Sequence, residues 1–285
     1  MVTIRQLLET GVHFGHQTCN WNPRMDKYIF TARNKIHIID LEKTVEYIKG
    51  AYNYVRDMVA MGNDVLFVCT KKQGSEIVEA EAIRCGMFYV NYRWWGGMLT
   101  NFKTIKNSIA HLNELEKMET EGTMDKLTKK EKAKLMKEKM RLNRGLCGIK
   151  NMEHLPGLVY AVDIDLESIA IAEARKLKIP VVGLVDTNCN PEFVDKVIPG
   201  NDDSIRSIRL ITSIITDAVL EGLNLRGSDE AYHSEPAEGA EADAEAGEVP
   251  EKIIIEDLNI DEFSGITEDT DKVVEEETTE EETEK

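Results

Sequence analysis

Apolar positions recur along this chain with two periods, and the switches between them lay out its elements. From Thr3 to Thr10, Ile4, Leu7 and Leu8 fall on one helical face, and Gly11 ends the pattern. Gly11 to Asp40 reads as a Gly, Asn and Pro loop followed by two short alternating runs, Tyr28 to Phe30 and Ile36 to Ile39, about a turn at Ala32, Arg33 and Asn34. Leu41 to Met61 returns to a helical period through Val45, Ile48, Tyr52, Val55 and Val59. Asp64 to Thr70, DVLFVCT, is a continuous apolar run of strand length, which suits a strand covered on both faces of a parallel sheet. A helix to Cys85 and a strand from Met87 to Val90 complete a βαβ unit, which requires a right-handed crossover.

Past the segment NYRWWGGMLTNFKTI, Phe102, Ile105, Ile109 and Leu112 form a narrow apolar stripe that Leu115 and Met118 extend before Gly122 breaks it. Thr128 and Glu131 have capping-box spacing and open a second helix carrying Leu135, Met136, Met140 and Leu142. Two such stripes joined by a short turn predict an antiparallel coiled-coil hairpin with arms ~25 to 30 Å long, at ~1.5 Å per residue. It should project, because the rest of each arm is polar. Strand runs then resume at LVYAV (Leu158 to Val162) and VVGLV (Val181 to Val185), separated by an amphipathic helix with Ile169, Ile171, Ala174 and Leu177. Lys196 to Ile198 is a short last strand, and Asp203 to Leu225 a closing helix. The pattern is that of an α/β chain with a parallel sheet: residues 1–100 and 151–226 form the sheet domain, residues 101–150 the inserted hairpin.

Charge divides the chain differently. Of the formal −17 over 285 residues, residues 227–285 carry 23 Asp or Glu against three Lys, a net of −20. The first 226 residues are therefore mildly basic, at +3. Residues 227–285, rich in Glu, Ala and Thr, have too little apolar surface to offset the entropy of ordering, and a disordered acidic tail is expected there. The bland role for it is solvation; a sharper one is competition with a nucleic acid for the basic body. Asn101 to Lys150 holds 13 Lys or Arg against seven acidic residues, so the hairpin is the most basic part and favours an anionic partner. Five cysteines, an odd number at irregular spacing without a CxxC pair, suit reduced, packed thiols. With no apolar run near the ~20 residues that cross a bilayer and no secretory h-region at the start, a cytoplasmic protein without membrane contact is expected.

The candidate chemistry lies at element ends. Arg24, Lys27, Arg33 and Lys35 cluster around the N-terminal hairpin, either as a solvated edge or facing phosphates. Lys71, Lys72 and Gln73 follow a strand, where ligands of parallel sheets sit, but their loop is neither GxGxxG nor GxxxxGK[ST] and cannot wrap a pyrophosphate. Arg93, Trp94, Trp95, Gly96, Gly97, Asn101, Lys103 and Lys106 gather where strand gives way to hairpin. By residue type the tryptophans favour a core plug over a stacking platform. His13, His16 and Cys19 supply too few ligands for a recognised metal site; His16 completed by Asp186 or Asp202 is the arrangement left open. Asp163, Asp165 and Asp186 lie at strand ends, where caps and turns explain them better than a magnesium-dependent enzyme using Lys71 as its phosphate ligand.

Taken together, GVHFGHQT with WNP and Met at Gly11 to Met25, IHIIDLEKT at Ile36 to Thr44, NYRWWGGMLTNF at Asn91 to Phe102, and PGLVYAVD with EARKLKIP between Pro156 and Pro180 resemble the ribosomal protein S-two family of the bacterial small subunit, over Met1 to about Leu225. The resemblance implies a three-layer, flavodoxin-like or Rossmann-like α/β/α sandwich carrying a coiled-coil hairpin. It also implies a non-catalytic, ribosome-associated protein without cofactor or small-molecule substrate. Its partners would be small-subunit ribosomal RNA and neighbouring ribosomal proteins, including the large mRNA-binding one that it helps to seat. On that footing Arg24, Lys27, Arg33, Lys35, Lys71, Lys72, Arg93, Asn101, Lys103 and Lys106 are expected to face RNA, with Trp94, Trp95, Gly96 and Gly97 fixing the hairpin's angle. A pure protein scaffold, with the hairpin as a docking rod, is the other non-catalytic reading.

Overall fold

The computed structural model describes residues 2–233. Helix α1 (Ile4–Thr10) carries a capping box, with the Thr3 hydroxyl accepting from Gln6 N–H and the Gln6 side chain accepting from Thr3 N–H. Only Leu7 of its apolar stripe is buried. A small antiparallel sheet follows, built from β1 (Phe14–Gln17), β2 (Ile29–Arg33) and β3 (Ile36–Ile39) in the order β1-β3-β2. Strand β1 lies in what the sequence presents as loop. The β2-β3 turn sits at Asn34 and Lys35, with φ of 52° and 63°, rather than at Ala32 to Asn34. Two successive positive φ values give the primed turn whose twist matches the strands it joins.

The main sheet runs through α2 (Leu41–Ala60), β4 (Val65–Val68), α3 (Lys72–Cys85), β5 (Phe88–Val90), α4 (Phe102–Thr120), α5 (Lys129–Leu146), β6 (Leu158–Val162), α6 (Ser168–Lys176), β7 (Val181–Val185), β8 (Lys196–Pro199) and α7 (Ile205–His233). Its five strands are parallel and ordered β5-β4-β6-β7-β8. The chain starts at β4, steps outward to β5, then returns to the other side at β6. Ligands of open parallel sheets sit beyond the strand ends at such a reversal.

Successive side chains on a strand point to opposite faces, so the continuous apolar runs feed two cores. Leu66, Val68, Val159 and Ala161 join residues of α4, α5 and α6 on one face. Val65, Phe67, Tyr160 and Leu184 join α1, α2, α3 and α7 on the other. Helices thus cover both faces. Helix α7 lies over α2 and α3, tied by Arg84 to Asp217 and by Tyr52 to Glu221. It runs to His233, past the Leu225 end expected from sequence: Gly227 alone does not stop a helix that continues through Glu230 and Ala231, and no proline intervenes before Pro236. The remainder of the acidic tail lies outside the described residues.

Helices α4 and α5 are joined through a 3-10 turn, Thr123–Lys126. The capping box at Thr128 and Glu131 is present. Ile105, Ile109, Leu112 and Leu115 pack with Leu142 and Leu146 in the same core that reaches the sheet. Lys139 pairs with Glu119 and Lys150 with Glu116 between the helices' surroundings.

Candidate functional site

The segment leading from β5 into α4 is organised by one side chain, Glu173 on α6. Its Oε1 accepts from Gly97 N–H at 2.6 Å and Trp94 Nε1–H at 3.2 Å. Its Oε2 accepts from Leu99 N–H at 3.1 Å, Thr100 N–H at 3.0 Å and the Thr100 hydroxyl at 3.0 Å. Burial by itself would raise this carboxyl, but the donors from Thr100, Gly97, Trp94 and Leu99 outweigh it and hold Glu173 below the ordinary carboxylate range.

That geometry decides how the two tryptophans are used. Trp94 is buried with its indole N–H committed to Glu173. Trp95 is half-buried and packs on α5 at Gly145, where a Cβ would stand 2.6 Å from Trp95 Cζ2. Gly97 has φ of 90°, which a side chain would strain, whereas Gly96 is open to solvent. The two indoles thus tie the segment after β5 to α6 through Trp94 and to α5 through Trp95. Around them Arg93, Asn101, Lys103 and Lys106 are exposed. Asn101 accepts from the Thr104 hydroxyl, and the Lys106 ammonium lies 5.2 Å from the Phe102 ring centroid.

The carboxyl edge at the β4-β6 reversal holds a different arrangement. Lys71 Nζ stands 3.1 Å from Asp163, 2.8 Å from Asp202 and 2.7 Å from Asp203. Burial works to lower this ammonium, but Asp202, Asp203 and Asp163 together hold it above its ordinary value. His16 Nδ1 lies 3.1 Å from Asp186 Oδ2 and Nε2 lies 3.5 Å from Asp203 Oδ2. The Nδ1 contact is close in distance but lacks the alignment of a hydrogen bond, so it acts as an ion pair. Asp186 and its Asp202 and Asp203 neighbours nevertheless push His16 up to about 9 against its burial. Asp202 is fully buried with Oδ2 unpartnered; burial and the Asp186 and Asp163 charges push it up to about 7, against Lys71.

The expected site residues therefore part company. Lys71, expected to face phosphate, stands instead among three carboxylates within the fold, and its side chain is 14% exposed. The same pairing removes it as a phosphate ligand for an enzyme. Lys72 remains exposed at the start of α3. Arg24 is exposed but paired with Glu192 at 2.6 Å, and the Lys27 ammonium lies 4.8 Å from the Tyr28 ring centroid. Arg33 and Lys35 are exposed at the β2-β3 turn.

Of the His13, His16 and Cys19 set, the fold brings only His16 to other ligand-type atoms. His16, Asp186 and Asp202 offer ligand atoms within 4.8 Å of one another, and Asp163, Cys189 and Asp202 form a second such group. The first group, two carboxylates with one imidazole, could hold a divalent cation. Cys19 is exposed beside Gln17. Asp163, at φ 64°, also accepts from Leu166 N–H as a turn residue. Sequence reasoning missed Glu173 altogether; its signal was an acid set among Ala170, Ile171 and Ala174 on the buried face of α6.

Among the described residues, no helix is long and apolar enough to cross a membrane. The profile of the family described as ribosomal protein S2 matches residues 7–222, which spans both sheets, the helical hairpin and the Glu173 anchor. With more than half of its length matched, the chain belongs to the ribosomal protein S2 family, structural proteins of the small ribosomal subunit.

Proposed function

We propose that this protein binds ribosomal RNA in the small subunit through the exposed cations at the root of its helical hairpin, and serves translation without catalysing a reaction. In this reading residues 1–100 and 151–226 are the body, residues 101–150 a projecting coiled coil, and residues 227–285 an acidic appendage. What carries the proposal is the contrast at the root: Trp94, Trp95 and Glu173 are committed inward, while Arg93, Lys103 and Lys106 are exposed on the same short segment. A rigid mount with free cations suits shape-directed contact with phosphates more than base reading. Lys72, Arg33 and Lys35 are further exposed cations in this reading, with Arg24 and Lys27, each already engaged by a neighbour, contributing less. Neighbouring ribosomal proteins, the large mRNA-binding one among them, complete the assembly, since a body charge of about +3 gives modest attraction for naked RNA.

The test is charge reversal at Arg93 and Lys103, read as occupancy on purified small subunits sedimented at two magnesium concentrations. Occupancy is expected to fall, and RNA binding to weaken steeply with salt. Unchanged occupancy and a flat salt response would remove RNA from this root.

A further inference from the structure

Beside the root, α5 presents a second cationic feature. Lys134, Lys137, Arg141 and Arg144 are exposed and follow one another at intervals of three, four and three residues, so they line one face of the helix. Among the described residues none of the four enters an ion pair, whereas Lys139 and Lys150 nearby are each matched by a glutamate. The four border a groove of about 570 Å³ that Tyr92 and Met140 also line. Both are large and more than half exposed, at 57% and 55%. The Arg144 guanidinium stands 6.0 Å from the Tyr92 ring centroid. Glu138 is the one carboxylate on the rim.

An exposed ring under a guanidinium, at one end of a cationic row ~15 Å long by helix rise, matches a strand with one base turned out and its phosphates running alongside. A duplex offers no free base face for the ring, and an acidic peptide would use the cations but not the ring. Resting on the RNA reading above, we infer that this groove takes an unpaired nucleotide of RNA: its base stacks on Tyr92 beneath Arg144, and Arg141, Lys137 and Lys134 hold the flanking phosphates.

The experiment measures fluorescence anisotropy of the full chain with labelled decauridylate, a ten-base-pair RNA duplex and a decaglutamate peptide of similar charge. Decauridylate is expected to bind tightest. Tyr92→Leu should weaken it about tenfold, Tyr92→Phe less than twofold, and Lys137→Glu with Arg141→Glu more than tenfold. All these positions are exposed, and the urea midpoint of each variant verifies the fold. Wild-type affinity in Tyr92→Leu, or decaglutamate or duplex binding as tightly as decauridylate, overturns the inference. Small-subunit occupancy of the Arg93 and Lys103 reversal separates the two proposals. If that occupancy falls while Tyr92→Leu binds normally, the groove fails alone; if it holds while Tyr92→Leu loses affinity, the root fails alone.

Discussion

Glu173, within α6, and Asp202, in the loop before α7, are both buried carboxylates, and they are treated in opposite ways. Glu173 meets five donors and faces no other acid; Asp202 shares Lys71 with Asp163 and Asp203 and keeps one oxygen without a partner. A satisfied carboxylate fixes geometry, and here it fixes the turn from which the hairpin departs. An acid among acids leaves an unbalanced charge, so its contribution depends on protons and on any cation that enters.

The comparison breaks most sharply at Glu173. Glu173→Ala should lose roughly 2 to 4 kcal/mol in urea denaturation, because the buried Leu99 N–H and Trp94 indole and the part-buried Gly97 and Thr100 N–H groups are left unmatched. A loss below about 1 kcal/mol would mean that water replaces the carboxylate and that the anchor is not buried in solution. Next comes Asp202→Asn, assayed with a chelator present. A buried acid whose folded value is raised from 3.8 to about 7 contributes stability that is complete below its unfolded value and is lost as pH rises through about 7. The variant, freed of that loss, should be stabler than wild type by about 1 to 3 kcal/mol at pH 8 and indistinguishable near pH 4. Equal thermal midpoints at pH 8 would place Asp202 with Glu173 as a satisfied group.

Two smaller effects sharpen the picture. Gly145→Ala drives a methyl into Trp95 and should cost about 1 to 3 kcal/mol in the same urea assay, with Gly145→Ser no better. His16→Asn tests the acidic edge from the other side. A histidine raised from 6.5 to about 9 lends stability that is full below pH 6.5 and gone above about 9, so the variant should fall about 1 kcal/mol short at pH 6 and match wild type at pH 10. A deficit that persists at pH 10 would assign His16 a packing role instead.

Much of this was legible in the chain. DVLFVCT, LVYAV and VVGLV read as strands of a parallel sheet from their length and continuous apolar character, and Thr128 with Glu131 announced a helix start through local hydrogen bonds. Both signals are carried by neighbouring residues. The Lys71 cluster was not legible, because its three carboxylates come from loops 92 to 132 residues away and nothing in the local loop betrays them. Strand β1 was hidden for a related reason: it has glycine and histidine at its centre and is held by β3 and by Thr187, whose hydroxyl accepts from His16 N–H. Glu173 stood in plain view, an acid in an apolar stripe, but its donors lie across the hairpin insertion.

That last separation bears on how the chain is made. Trp94 emerges 79 residues before the glutamate that receives its indole N–H. At roughly 5 to 20 residues per second, the interval is on the order of 4 to 16 s. The two helices, complete at Leu146, precede Glu173 by 27 residues, so for about the last third of that interval they exist without their bracket. The five donors of residues 94–100 meet their acceptor only when α6 arrives, so a pause in that window would prolong the time they go unmatched.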